Sequence, residues 1–125
     1  MPTISLVLMA IAALLHIAFF VLESLVWRRP EVHRIFGVRS PDEAETMSFA
    51  LFNQGFYNLF LAIGTLVGVI GPALLWDDGY ELLVFCALFM FGAAVVLVAS
   101  NRMLWRGAVL QGGLPALALV LAMLL

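Results

Sequence analysis

The chain has 125 residues, of which 65% are hydrophobic and 11% are charged, and its formal net charge is −2. Soluble domains carry charged residues at about a quarter of their length, and a chain this short cannot bury so many apolar side chains in one aqueous core. The composition argues against a soluble enzyme, a disordered chain and a disulfide scaffold. A chain without lysine or a basic stripe is not expected to bind nucleic acid either. We interpret it as an integral membrane protein with one domain over residues 1–125.

The charged residues divide the chain into apolar runs. Apart from Glu23, they lie in three groups: residues 28–45, residues 77–81, and the pair Arg102 and Arg106. The runs between them have about 20 residues or more, which is enough for a helix to cross a hydrocarbon core of roughly 30 Å. We predict an all-α, polytopic membrane protein, a bundle of four transmembrane helices at 3–27, 47–71, 80–100 and 104–125.

Aromatic and basic residues set the predicted orientation. The ends of the apolar runs carry amphipathic rings, which settle at the membrane–water boundary: Trp27, Trp76, Tyr80 and Trp105. The first and third connections hold all the arginines, whereas the second, around Asp77, holds none. The positive-inside bias then places the first and third connections in the cytoplasm and both termini outside.

The first connection has features of its own. Pro30 and Pro41 bracket a stretch that fits a short amphipathic turn on the membrane surface. Ser40-Pro-Asp-Glu43 is typical of a capped helix start. We therefore expect the second helix to begin before it enters the lipid.

Two ionisable residues lie inside the first predicted span. His16 and Glu23 are seven residues apart, which on an α-helix returns a side chain to within about 20° of the same face. Trp27 continues that stripe. Burying an ionisable group in hydrocarbon costs several kcal/mol of free energy unless the group has a partner, so such a residue is a candidate for a functional site. We take His16 and Glu23 as a candidate acid–base pair.

Further polar residues fall in the same half of the predicted spans, counted at about 1.5 Å per residue. With Trp27 they form the predicted ligand-binding set: Asn53, Gln54, Tyr57, Asn58, Asn101 and Gln111. In the other half Gly64 and Gly68 form a GxxxG step, which allows close packing or a homodimer contact. Gln111-Gly-Gly-Leu-Pro115 is expected to bend the fourth helix where a ligand or another helix approaches. The bundle is thus predicted to close at its outer end and to open as a polar pocket toward the cytoplasm.

Each candidate also has a structural interpretation. Amide side chains often hydrogen-bond between helices for about 1 kcal/mol or less, and Glu23 could reach the interface and pair with Arg28 or Arg29. A neutral His16 could bond to Glu23 or Tyr57. The sequence has no HxxxH or HExxH pattern and no nucleophilic triad, so we expect no metal and no cofactor.

Three features together carry a family resemblance. They are the first helix with His16 and Glu23, the segment Asn53-Gln-Gly-Phe-Tyr-Asn58, and Gln111-Gly-Gly-Leu-Pro115-Ala116. With these the chain resembles the bacterial domain-of-unknown-function family 1304 over essentially its whole length. The third segment has an extra glycine relative to a bare QGxP pattern. The resemblance implies a compact four-helix membrane protein, and it supplies no activity. We expect the protein in the bacterial inner membrane.

Three functions compete. The first is a protein that binds a small lipophilic or amphipathic molecule in the cytoplasm-facing pocket, or that isomerises it as an enzyme. The polar residues of the predicted pocket are similar in type to those of sterol-isomerase-like and sigma-2-like membrane proteins. The second is a proton-coupled exporter, since small multidrug transporters have a similar length, four spans and a first-helix glutamate. The third is a structural membrane subunit. The expected partners are membrane lipids and a small lipophilic ligand.

Overall fold

The computed structural model describes residues 1–74 and 79–125. Four helical stretches are long and apolar enough to cross a membrane: Thr3–Leu25, Pro41–Leu74, Tyr80–Ser100 and Arg102–Leu124. They confirm the all-α fold with four spans. The second connection, with Trp76 and Asp77, lies outside the described residues.

In the described residues, four α-helices and two short turns of other helix types make up these stretches, and a fifth, short α-helix lies between the first two stretches. The helices are α1 (Thr3–Phe20), α2 (Pro30–Ile35), α3 (Pro41–Leu74), α4 (Tyr80–Ser100) and α5 (Trp105–Leu124). A π-helical turn over Val21–Leu25 continues α1, and a 3-10 turn over Arg102–Leu104 precedes α5. The short α2 lies where the sequence indicates an amphipathic turn in the first connection.

The first span ends earlier than predicted. In the π-helical turn the Val26 N–H donates to the carbonyl of Val21 at 3.0 Å, five residues back instead of four. The helical stretch then stops at Leu25, so the predicted helix over 3–27 is two residues too long. Trp27 lies beyond the helix and does not continue its stripe. Hydropathy reports how apolar a run is, but it carries no information on this change of hydrogen-bond spacing.

The start of α3 follows its capping residues. The Ser40 hydroxyl oxygen accepts a hydrogen bond from the Glu43 N–H at 3.1 Å, and the Glu43 carboxylate accepts one from the Arg39 N–H at 3.3 Å. Pro41 at the first helical position suits a helix start, because its missing N–H has no intrahelical partner there. The helix has 34 residues, or about 51 Å at 1.5 Å per residue, and so begins well before the predicted 47 and outside a hydrocarbon core of about 30 Å.

The chain divides into two compact units. One unit contains Met1–Leu15 and Leu61–Leu125, and the other contains His16–Phe60. Helices α1 and α3 are therefore each divided between the two units.

The unit of Met1–Leu15 and Leu61–Leu125 packs through small residues. A Cβ added at Gly68 would lie 2.8 Å from Leu83 Cγ, and one at Gly112 would lie 2.5 Å from the Cβ of Ala94. Glycine is therefore needed where α4 meets α3 and α5. The GxxxG glycine Gly68 packs within the chain, and Pro115 is buried inside an α5 that runs on as a single helix. The core itself contains Met9, Ala12, Leu83, Cys86, Ala87, Met90 and Ala118.

The unit of His16–Phe60 has a smaller apolar cluster. Its buried members are Trp27, Val32 and Ala44, which come from the chain after the first span, from α2 and from the first turns of α3. The cluster holds the first connection against α3.

Candidate functional site

The π-helical turn carries a buried carboxyl group, that of Glu23. This side chain is only 6% exposed, and the Asn58 side chain is 7% exposed. Asn58 Nδ2 donates a hydrogen bond to Glu23 Oε1 at 3.0 Å. The other oxygen, Oε2, is buried and has no hydrogen-bond partner among the residues that the structure describes. Of the two carboxyl oxygens of Glu23, Oε1 therefore has a hydrogen-bond donor and Oε2 can still accept one.

A close helix contact next to Glu23 sets this pairing. The Ser24 hydroxyl donates to the carbonyl of Phe52 at 2.7 Å. A Cβ added at Gly55 would lie 1.9 Å from Ser24 Oγ and 3.2 Å from the carbonyl oxygen of Phe20, so only glycine admits the first span at this distance. Asn58 follows Gly55 by three residues and lies on the same side of α3, about one turn further on. The contact thus brings Asn58 level with Glu23.

Ser24 and Gly55 were not among the predicted site residues. The signal was the glycine in the middle of the polar segment of residues 53–58, together with a serine directly beside the intramembrane glutamate. Small residues are typical of transmembrane helix contacts, and here they occur next to the ionisable group that they position.

Aromatic rings surround the same helix contact. Phe20 and Phe56 meet edge to face with their ring centroids 5.0 Å apart, and Phe52 lies 5.2 Å from Phe56. His16 is fully buried, with its ring 5.2 Å from that of Phe19 in a T-shaped arrangement. Apolar rings therefore lie beside the contact between the first span and α3 and beside His16.

Trp27 belongs to the apolar cluster of the first connection. Its Nε1–H donates to the carbonyl of Ala44 at 2.9 Å, and its ring lies 4.9 Å from that of His33 and 5.3 Å from that of Phe36. His33 Nε2 is hydrogen-bonded to the carbonyl oxygen of Trp27. Trp27 therefore holds the first connection against α3. This structural role was not predicted, because the sequence placed Trp27 on the polar face of the first helix.

A surface cleft adjoins this tryptophan. It has a volume of about 370 Å³, and its lining includes Trp27, Arg28, His33, Glu45 and Ser48. The cleft thus combines an aromatic wall with side chains of both charges.

The other predicted ligand residues fall into two groups. Asn53, Gln54 and Tyr57 lie on α3 in the same unit as Glu23 but have exposed side chains, with Tyr57 61% exposed. Asn101 and Gln111 belong to the other unit. Asn101 caps the 3-10 turn, since its Oδ1 accepts from the Met103 N–H at 3.0 Å, and Gln111 is half-buried in α5. That all of them orient one ligand stays a prediction.

The chemistry open to Glu23 follows from its two oxygens. A carboxylate is an acceptor at both oxygens, and a protonated carboxyl is a donor at one of them. Inside a span, an ionised carboxylate is costly without a partner. The available oxygen therefore suits either a proton or a hydrogen-bond donor from a ligand. In the described parts of the chain, no group of three or more His, Cys, Asp and Glu side chains could hold a metal ion.

The fold and this site define a class, that of all-helical membrane proteins with four candidate spans and a carboxyl group buried in the first. Within that class, a family model matches residues 10–123, and the chain belongs to the family described as protein of unknown function (DUF1304). The match confirms the resemblance carried by the motifs around Glu23, Asn58 and Gln111. Comparison with curated proteins and with solved structures found no significant match.

Proposed function

We propose that the protein binds a small lipophilic or amphipathic molecule within the membrane, and that Glu23 accepts a hydrogen bond from the ligand's amine or hydroxyl group. The observation that carries this proposal is the buried Oε2 of Glu23, which has no partner in the described part of the chain. A buried acceptor left unsatisfied costs about 1 to 3 kcal/mol. A ligand that donates to this oxygen would offset that cost.

The surroundings of Glu23 narrow the chemical class of the ligand. Asn58 already occupies Oε1, which leaves one acceptor for one polar group on the ligand. The nearby Phe20–Phe56 contact is apolar and suits an apolar body attached to that polar group. We therefore expect a molecule with one hydrogen-bond donor at the end of an apolar, preferably aromatic, frame.

Exposed polar residues of α3 mark the side from which we expect the ligand to enter. Asn53, Gln54 and Tyr57 have exposed side chains on the same helix as Asn58. We expect them to contact the ligand as it enters from the side of the arginine-bearing connections. By the positive-inside bias that side is cytoplasmic, in the bacterial inner membrane, with both termini outside.

An isomerase activity is the catalytic form of the same proposal. His16 and Glu23 would act as the acid–base pair. The Glu23 carboxylate would remove a proton from one carbon of the ligand, a double bond of the ligand would shift, and the carboxylic acid so formed would return the proton at another carbon. Such a reaction would use the same available oxygen that binding uses.

Matched probes of similar size test the binding proposal. We expect purified protein to bind 4-phenylbutylamine more tightly than 4-phenyl-1-butanol, and butylbenzene least, because only the first two donate to the carboxyl group and the ammonium bond is charge-assisted. Affinity would be measured by isothermal titration calorimetry in detergent. Glu23→Gln should remove the advantage of the amine, while Glu31→Gln, which alters an exposed carboxylate of α2, should leave it unchanged. Equal affinity of the wild-type protein for all three probes would contradict the proposal.

Proton-coupled export is the second candidate, and the burial of Glu23 in the first span supports it. In such transporters a buried ionisable group binds a proton and the substrate in turn. Addition of ethidium to the detergent-solubilised protein in weak buffer would then release protons, and Glu23→Gln would abolish that release. A third outcome is that the protein binds none of the probes and releases no protons, with Glu23→Gln as stable as the wild type. That outcome would leave the third function, a structural membrane subunit.

A further inference from the structure

The cleft beside Trp27 lies at the level of the membrane boundary. Trp27 and Arg28 lie two and three residues beyond the first span, which ends at Leu25. The cleft is also lined by Glu45, the last charged residue before the apolar run of α3. These residues therefore stand where apolar helix gives way to charged chain, which is the depth of the lipid headgroups.

Opposite charges line this cleft without neutralising each other. Arg28 and Glu45 both line it, and in the described ranges neither forms an ion pair within 4.0 Å. The cleft measures about 370 Å³, within the range of about 300 to 1,000 Å³ typical of small-molecule sites. It thus has room for a group that carries a negative and a positive charge, complementary to those of Arg28 and Glu45.

We propose that this cleft binds the headgroup of a phospholipid with a primary ammonium group, such as phosphatidylethanolamine. Arg28 would hold the phosphate, since a guanidinium binds phosphate oxygens through paired charge-assisted hydrogen bonds. Glu45 would accept hydrogen bonds from the ammonium, and the Trp27 ring would lie along the glycerol region. Ser48 also lines the cleft. Its hydroxyl donates a hydrogen bond to the carbonyl oxygen of Glu45 at 2.7 Å. The site is separate from the proposed ligand site at Glu23 and does not depend on it.

Competition between lipids tests the proposal. Delipidated protein is mixed with equal amounts of phosphatidylethanolamine, phosphatidylcholine and phosphatidylglycerol of the same acyl chains, and native mass spectrometry counts the bound species. We expect about a fivefold preference for phosphatidylethanolamine over phosphatidylcholine, because a quaternary ammonium cannot donate to Glu45. Glu45→Gln should abolish the preference for phosphatidylethanolamine over phosphatidylglycerol. Arg28→Gln should weaken both of these lipids alike.

Neighbouring exposed residues provide the controls. Arg29→Gln and Glu31→Gln remove the same charges just outside the cleft lining and should keep the wild-type preference. If Glu31→Gln lowers the preference as much as Glu45→Gln does, or Arg29→Gln lowers the binding of both lipids as much as Arg28→Gln does, diffuse attraction to the membrane surface explains the result and the site is overturned. Equal binding of phosphatidylethanolamine and phosphatidylcholine to the wild type would overturn it as well. If soluble glycerophosphoethanolamine displaced phosphatidylethanolamine effectively, the ligand would be a free phosphate ester, and the proposal of a lipid site would be overturned.

Discussion

The two compact units treat their buried polar side chains in different ways. In the unit of Met1–Leu15 and Leu61–Leu125, the fully buried Ser5 and Thr65 donate to the backbone carbonyls of Ala118 at 2.9 Å and Leu61 at 2.8 Å. In the unit of His16–Phe60, Glu23 is also buried, but one of its oxygens has no partner among the described residues.

This difference separates packing from function. A hydroxyl bonded to a helix carbonyl adds to helix contacts at little cost, whereas a half-satisfied carboxyl group destabilises the fold. A side chain of the second kind is not explained by a contribution to stability. The comparison therefore makes the unit of His16–Phe60 the place to test the proposed ligand site.

The strongest test of that comparison is a pair of adjacent glycines in α5. Gly112→Leu should destabilise the protein by about 3 kcal/mol or more, because a Cβ there lies 2.5 Å from Ala94 Cβ and 3.4 Å from the Met90 carbonyl oxygen. Gly113→Leu should change stability by less than about 1 kcal/mol, since its Cβ meets only Val109, at 3.6 Å. Thermal unfolding in one detergent compares them. Equal losses would mean that α4–α5 packing does not support this unit.

The next effect concerns the partner of Glu23. Asn58→Leu should destabilise the protein by about 1 to 3 kcal/mol, because it leaves both oxygens of a buried carboxyl group without a donor. Ser5→Ala, in the other unit, should cost about 1 kcal/mol or less. Chemical denaturation in detergent measures both. A larger loss for Ser5→Ala would reverse the comparison.

A double replacement isolates the cause of that loss. Glu23→Leu combined with Asn58→Leu should restore stability to within about 1 kcal/mol of the wild type, because replacing both partners of a buried polar pair with apolar groups is often neutral. The same protein should not discriminate 4-phenylbutylamine from butylbenzene.

Trp27 gives a smaller effect within the unit of His16–Phe60. Trp27→Phe should cost about 1 kcal/mol, because it removes the hydrogen bond to the Ala44 carbonyl and keeps an aromatic ring beside His33. Trp105→Phe is the matched control, since Trp105 is 54% exposed, and its effect on the unfolding midpoint should be close to zero. If the two variants unfold alike, Trp27 does not tie the first connection to α3.

The smallest expected effect is at Asn101. Asn101→Ala removes the acceptor for the Met103 N–H and should cost about 0.5 to 1 kcal/mol, as for other helix caps. The affinity for 4-phenylbutylamine should stay at the wild-type value if capping is its whole role. A weaker affinity would bring Asn101 into the ligand site, as its polarity in the sequence suggests.

Much of the fold is predictable because lipid imposes simple rules. A spanning segment must satisfy its own backbone hydrogen bonds, so long apolar runs become helices whatever their detailed sequence. The start of α3 at Pro41 was equally accessible, since Ser40 and Glu43 are capping residues that act locally. Both features depend on neighbouring residues only.

The site was less predictable because it depends on contacts between distant segments. Glu23 and Asn58 each stood out as polar residues in an apolar run, but they are 35 residues apart. Which residue of α3 meets the glutamate depends on the Ser24–Gly55 contact and on the π-helical turn. No residue of Val21–Leu25 is unusual for an α-helix, so the turn leaves no mark in composition or periodicity.

The π-helical turn also constrains how this segment can evolve. Each residue added to or removed from a helix rotates everything beyond it by about 100° and shifts it by about 1.5 Å. A single insertion or deletion within Val21–Leu25 would therefore swing Glu23 or Ser24 away from α3, whereas many apolar exchanges at Val21, Leu22 or Leu25 would leave both in place. In this stretch natural variants should tolerate changes of side chain far more readily than indels.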